Sequence, residues 1–215
     1  MKYAIFDMDG TLIDSMPLWE DVAGDYCEMR GLVPKEPLNK LFYNKILPEA
    51  AIYFKEEYHL EESVEKVLND LASFAENAYR FKVPAKEGVA EALEYFQKQG
   101  IQMAIATANE RQLAEAALKR LNLLPYFKYI ATCSEVGYPK RENAAVFLKA
   151  LDVLGGKNPQ EAFVFEDAPH AIQTAKEAGF QIVGVYDEAY RHQWDKLENL
   201  SDHLFASAKE WQTLI

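Results

Sequence analysis

The sequence predicts a doubly wound α/β protein, a parallel sheet covered by helices on both faces, with a helical segment inserted after the first strand. Three observations predict it. Short apolar runs, YAIF, IQMAIAT, AFVFED and QIVGVY, recur along the chain with helical patterns between them. Strands separated in this way need long crossovers and therefore pair in parallel. The stretch from about residue 16 to 82 breaks the rhythm with nearly pure helical periodicity. Lastly, polar clusters stand at the carboxyl ends of three of the apolar runs, where open parallel sheets bind their ligands.

The first strand is Tyr3 to Phe6. In the insert, Leu18, Val22, Tyr26 and Met29 form one helical stripe, and Val64, Val67, Leu68, Leu71, Phe74, Ala75 and Ala78 a longer one. Between them Phe42 to Tyr58 reads as a less regular helix, with Pro48 as an N-terminal starter. After Pro84 a helix carrying Val89, Leu93 and Phe96 stops at Gly100. The strand IQMAIAT follows, then a helix from Glu110 to Asn122 and a short strand near Tyr129 to Thr132. A helix around Val146, Leu151 and Leu154 leads to AFVFED, a helix ending at Gly179, and the strand QIVGVY. The expected division is a Rossmann-like core from residues 1–14 and 83–215 and a helical insert from 15–82.

At 215 residues the chain can bury a substantial core, and 49% hydrophobic with 27% charged residues is an ordinary globular composition. The net charge of −11 argues against nucleic acid and anionic membranes, which are approached through clustered Lys and Arg. Cys27 and Cys133 show no metal or redox spacing, so a reducing cytoplasm is expected. Acidic residues occur by Asp7 and no apolar run reaches membrane-spanning length, so neither a leader peptide nor an anchor is expected. A monomer is expected, with a dimer as the alternative.

The segment AIFDMDGTLIDS places Asp7 and Asp9 two positions apart at the end of the first strand. On an extended chain they share a face, and two carboxylates so close stay ionised only if a cation or shared proton compensates. Gly10 permits a sharp turn and Thr11 supplies a hydroxyl to tie it. The second polar strand end is Thr107-Ala108-Asn109, and the third is Glu166-Asp167. If these strands are neighbours, four carboxylates and a hydroxyl converge, a donor set that suits Mg²⁺ with positions left for phosphate oxygens. Lys140, in the loop EVGYPKREN, can bring an ammonium to the same edge. Taken singly, these signals have ordinary readings. Thr107 would cap the helix beginning near Glu110, Glu166-Asp167 the helix after them, and Lys140 and Arg141 would be solvated charges. Their ordered conjunction points to phosphoryl transfer.

Over essentially its whole length the chain resembles the haloacid dehalogenase-like hydrolases, in particular the phosphatase and β-phosphoglucomutase group with a helical cap inserted after the first strand. FDMDGTLIDS matches the first motif, Thr107 the second, Lys140 the third and FEDAPHAIQTAKEAG the fourth. The resemblance implies Asp7 as nucleophile and Asp9 as general acid and base. It implies Mg²⁺ held by the Asp7 side chain, the Asp9 backbone carbonyl and Asp167, with Glu166 a direct or water-mediated partner. Thr107 and the amides of Ala108 and Asn109 would bind phosphoryl oxygens, with Lys140 neutralising charge. The third motif departs from the usual Gly-Lys-Pro: counting from Glu135 selects Lys140, whereas counting back from Phe147 selects Arg141. Trp19 stands where the mutases carry a catalytic histidine. The expectation is therefore a Mg²⁺-dependent phosphatase of a small phosphorylated metabolite, acting through an aspartyl phosphate. A sugar phosphomutase and a non-catalytic binding protein on the same fold are the alternatives. Trp19, Tyr43 and Lys45 in the cap are the specificity candidates.

Overall fold

The computed structural model describes residues 1–35, 37 and 47–215, apart from the side chains of Trp19 and Glu20. It divides into two compact units, one of residues 1–14 with 84–215 and the other of residues 15–83. Tyr43 and Lys45 lie outside the described residues, as does the side chain of Trp19.

In the first unit, among the described residues, six strands form a single parallel sheet. They are β1 (Tyr3–Phe6), β2 (Gln102–Thr107), β3 (Phe127–Thr132), β4 (Ala162–Glu166), β5 (Gln181–Val185) and β6 (His203–Phe205), in the order β3-β2-β1-β4-β5-β6. The first strand is thus central, between β2 and β4. Phe6 lies level with Ile105 on one side and Phe165 on the other, which brings Asp7, Thr107 and Glu166 to one edge.

Side chains on a strand alternate, and both faces of this sheet are apolar because helices cover both. Tyr3, Ile5, Ala104, Val164 and Ile182 face one layer. Val146, Phe147, Ala150 and Leu151 of one helix (Ala145–Val153) and Ala171, Ile172 and Ala175 of another (Pro169–Glu177) pack there. On the opposite face Phe6 stacks on Phe165 with ring centroids 4.4 Å apart. Phe96, from the helix Val89–Lys98, and Trp211, from the C-terminal turn, close over that pair. The helix that follows β2 runs Arg111–Arg120, shorter at both ends than its apolar pattern suggests, because Glu110 caps its start and Leu121 its end.

The second unit contains, among the described residues, α1 (Met16–Arg30), α2 (Leu47–Glu57) and α3 (Val64–Phe81). Ser63 caps α3 by accepting from the Lys66 amide at 3.2 Å, and the α3 stripe buries Val67, Leu71, Ala75 and Ala78. Tyr26 and Phe54 meet in its core at 4.8 Å. Lys55 donates to the carbonyls of Leu60 (2.9 Å) and Glu62 (2.6 Å) and so pins the turn between α2 and α3. No helix among the described residues is long and apolar enough to cross a membrane.

Candidate active site

The site is built on the carboxyl ends of β1, β2 and β4. The backbone of Asp7 continues the sheet, its amide donating to Phe165 O at 2.9 Å. The chain then turns at Gly10 with φ +79°, a left-handed conformation that glycine adopts without steric cost. A methyl group at Gly10 would also run into the Asp167 carboxylate. Glycine here therefore both makes the turn and lets the loop from β1 approach the acid from β4. The neighbouring hydroxyl, Thr11 Oγ1, donates to Asp167 Oδ1 at 3.0 Å, and both residues are buried.

Asp7, Glu166 and Asp167 are buried and each offers a carboxylate oxygen within 4.8 Å of the others. The side chain of Lys140 reaches into this trio, 2.5 Å from Asp7 Oδ1 and 2.9 Å from Glu166 Oε2. Arg141, the other basic candidate, points into solvent and pairs with Glu142 at 3.5 Å. The second oxygen of Glu166 accepts from the Ala168 amide at 3.1 Å, so this carboxylate is fixed at both ends. Lys140 is itself held from behind, where its carbonyl accepts from Thr174 Oγ1 at 2.7 Å.

The electrostatics follow from burying three acids with one close ammonium. Burial, then the Glu166 charge, pushes the Asp7 carboxyl up to about 7, against the opposing pull of Lys140. Burial also raises Asp167, helped by Glu166, Asp7 and Asp187 and resisted by Lys86. Burial alone would lower Lys140, but the combined carboxylates of Asp7 and Glu166 outweigh it and keep the ammonium protonated. If all three acids ionise, Lys140 leaves two negative charges uncompensated in a buried site. That is the charge of one divalent cation, and an all-oxygen donor set fits a hard ion such as Mg²⁺.

Asp9 is placed differently from the expectation that four carboxylates converge. The strand ends at Phe6 and the turn follows, and Asp9 Oδ2 lies 3.4 Å from Asn109 Nδ2, beyond the end of β2. Its side chain stands outside the trio. Thr107 is fully buried and does not cap the following helix, whose cap position is Glu110; its Oγ1 accepts instead from the Asn109 amide at 3.0 Å. Ala108 lies in the turn so formed. Nor do Glu166 and Asp167 cap the next helix, which starts at Pro169 without a side-chain cap.

Three residues near the site carry no sequence signal of their own. Lys86 Nζ pairs with Asp187 Oδ2 at 2.7 Å beside the turn at Gly10. Tyr190 follows β5, and burial with the nearby acids raises its phenol above the ordinary value. They belong to irregular segments after Pro84 and after QIVGVY, where no periodicity marks a facing direction.

The profile of haloacid dehalogenase-like hydrolases matches residues 4–185, most of the chain and every element that builds the site. The chain belongs to this hydrolase family. Among the relatives of this hydrolase, a phosphorylated carbohydrates phosphatase of Thermotoga maritima is 29% identical over 188 residues, covering 86% of this chain and 85% of the relative. Hexitol phosphatase A of Escherichia coli is likewise 29% identical, covering 86% and 82%. A crystal structure from Thermotoga maritima, provisionally designated a β-phosphoglucomutase, superposes with a TM-score of 0.84 at 26% identity, over 100% of this chain and 98% of that one.

Proposed function

We propose that this hydrolase is a Mg²⁺-dependent phosphatase that cleaves a small phosphomonoester through a phosphorylated Asp7. The observation that carries the reading is the buried trio of Asp7, Glu166 and Asp167 with the Lys140 ammonium among them. Relatives named for phosphorylated carbohydrates and hexitol phosphates support a polyol or sugar phosphate as the substrate class.

Asp7, Asp167 and the Asp9 backbone carbonyl would hold the metal, with Glu166 oriented behind them by Lys140 and the Ala168 amide. When bound, the metal offsets the repulsion between an anionic ester and an anionic nucleophile. Lys140 contributes further positive charge at Asp7, and Thr107 with the Ala108 amide would receive the phosphoryl oxygens, joined by the Asn109 amide once it leaves Thr107 Oγ1. Asp7 attacks phosphorus in line, and the ester bond to the leaving oxygen breaks. Asp9 protonates that oxygen, then takes a proton from the water that attacks the aspartyl phosphate, returning Asp7 as carboxylate and releasing phosphate. The separation of Asp9 from the acid trio supports this division of labour: its carboxylate stays clear of the metal set and near the β2 edge.

A screen of phosphate release from sugar phosphates, polyol phosphates, nucleotides and acyl phosphates, with Mg²⁺ and an Asp7→Asn control, tests the reading. Release that requires both the metal and Asp7 is expected. Isomerisation of a sugar phosphate without net phosphate release would assign the mutase chemistry instead.

A further inference from the structure

Lys86 enters the sheet unit where the chain returns from the helical unit, and its ammonium is fully engaged. It donates to Gly10 O, to Tyr186 O at 2.7 Å, and to Asp187 Oδ2 at 2.7 Å. An ammonium has three N–H donors, so every one is used. Asp187 is 3% exposed, and its other oxygen accepts from the Ala189 amide at 2.9 Å, which fixes the acceptor in turn. The backbone repeats the connection: Lys86 N donates to Leu12 O at 3.0 Å, and Asp14 N donates to Pro84 O at 3.0 Å. The segment leaving the sheet unit and the segment re-entering it are thus paired with each other beside the acid loop.

We propose that Lys86, seated on Asp187, is a positioning residue that holds the Gly10 carbonyl and thereby sets the Asp7–Asp9 loop against Asp167. The Gly10 turn is also closed within the loop, where the Leu12 and Ile13 amides donate to Met8 O at 2.9 and 3.0 Å, but these bonds do not reach β5. The Gly10 amide bonds to Ile13 O at 3.0 Å within the same loop, and Thr11 bonds to Asp167. Among the described residues, Lys86 ties the Gly10 carbonyl to Tyr186, the residue that follows β5. A loop released from it can shift the nucleophile and the metal-binding carbonyl relative to Asp167 while the sheet stays intact. The inference rests on the phosphatase reading, because the purpose of the clamp is alignment for metal and phosphoryl ester.

Charge and position predict opposite signs for one measurement. Lys86 lies close enough to Asp167 to favour its ionised form. As a charge alone, it would repel a cation, and its removal would tighten metal binding. As a clamp, its removal weakens metal binding. Lys86→Met deletes donors and charge, whereas Lys86→Gln deletes the charge but keeps two N–H donors. The full-length protein and both variants are titrated with Mn²⁺ by calorimetry below their melting temperatures, and kcat and KM are measured with the best ester from the screen. Lys86→Met should bind Mn²⁺ several-fold more weakly and lose about tenfold or more in kcat with little change in ester KM, the loss expected of a misaligned nucleophile. Lys86→Gln should fall between Lys86→Met and the wild type. Tighter Mn²⁺ binding in both variants, or wild-type kcat in Lys86→Met, would overturn the proposal. If Lys86→Met does not fold, Lys86→Gln decides alone, since weaker Mn²⁺ binding supports the clamp and tighter binding refutes it. A wild-type protein that binds no Mn²⁺ and releases no phosphate would fail the phosphatase reading itself, and the clamp with it.

Discussion

Lys140 Nζ lies 2.5 Å from Asp7 Oδ1, and both groups are buried, so the two form one ion pair. The sequence left two candidates for the basic position, because an extra residue separates Glu135 from Phe147. The short helix Cys133–Val136 ends at Gly137 with φ +78°, and the turn that follows sends Lys140 inward and Arg141 outward.

Lys140→Ala should lower turnover by about a hundredfold or more, the scale expected for losing a charge that stabilises the transition state, whereas Arg141→Ala should stay within about twofold. Lys140→Ala also strands two buried carboxylates, so the metal-free variant should be destabilised by roughly 3 kcal/mol, less whatever protonation recovers. Steady-state kinetics and thermal melts of the two variants check both statements. A larger kinetic loss in Arg141→Ala would contradict the assignment.

Mg²⁺ should stabilise the protein more at high pH than at low. In the metal-free protein burial and Glu166 hold the Asp7 carboxyl up at about 7, and Asp167 is raised too, so the folded state binds these protons more tightly than the unfolded chain. The stability they contribute is present at low pH and lost as pH climbs toward the folded value. A divalent cation held by the proposed metal site would take the place of those protons. The rise in Tm on adding Mg²⁺ should therefore be larger at about pH 8 than at about pH 5. Scanning calorimetry with and without Mg²⁺ measures it, and an equal or smaller rise at the higher pH would count against metal binding by this trio.

Gly10→Ala should cost roughly 2 kcal/mol from the left-handed backbone alone, and more because the added methyl meets the Asp167 carboxylate. The second effect acts at the proposed metal site. Weakened Mn²⁺ binding together with a lower melting temperature is expected. A variant that melts lower but binds Mn²⁺ like the wild type would show that the turn and the metal site are independent.

The sheet was legible in the sequence because its strands are buried on both faces and read as continuous apolar runs, and Tyr3–Phe6 begins and ends where that run does. The short strand β6, His203–Phe205, carries only three residues at the sheet edge, too few for a pattern. At the site, residues directly beyond strand ends, such as Asp7 and Glu166, could be placed by counting, since parallel register puts neighbouring strand ends level. The absence of Asp9 from the acid trio could not, because strict alternation stops applying where the strand ends at Phe6. Lys86 and Asp187 were not legible either. Their pairing joins positions 101 residues apart in irregular backbone, and neither position has a neighbour of a kind that suggests a site.

The most direct test of the account is rapid-mixing kinetics of Asp9→Asn with an activated aryl phosphate and with an alkyl phosphate, combined with acid quenching and peptide mass spectrometry. An aryl leaving group departs without a proton, so Asp7 should still be phosphorylated, while hydrolysis of the phosphoenzyme slows for want of its base. The account predicts a burst of aryl alcohol, a phosphoryl group recovered on Asp7, and no burst with the alkyl ester. Near-wild-type turnover, or equal losses for both esters with no phosphorylated Asp7, would contradict it.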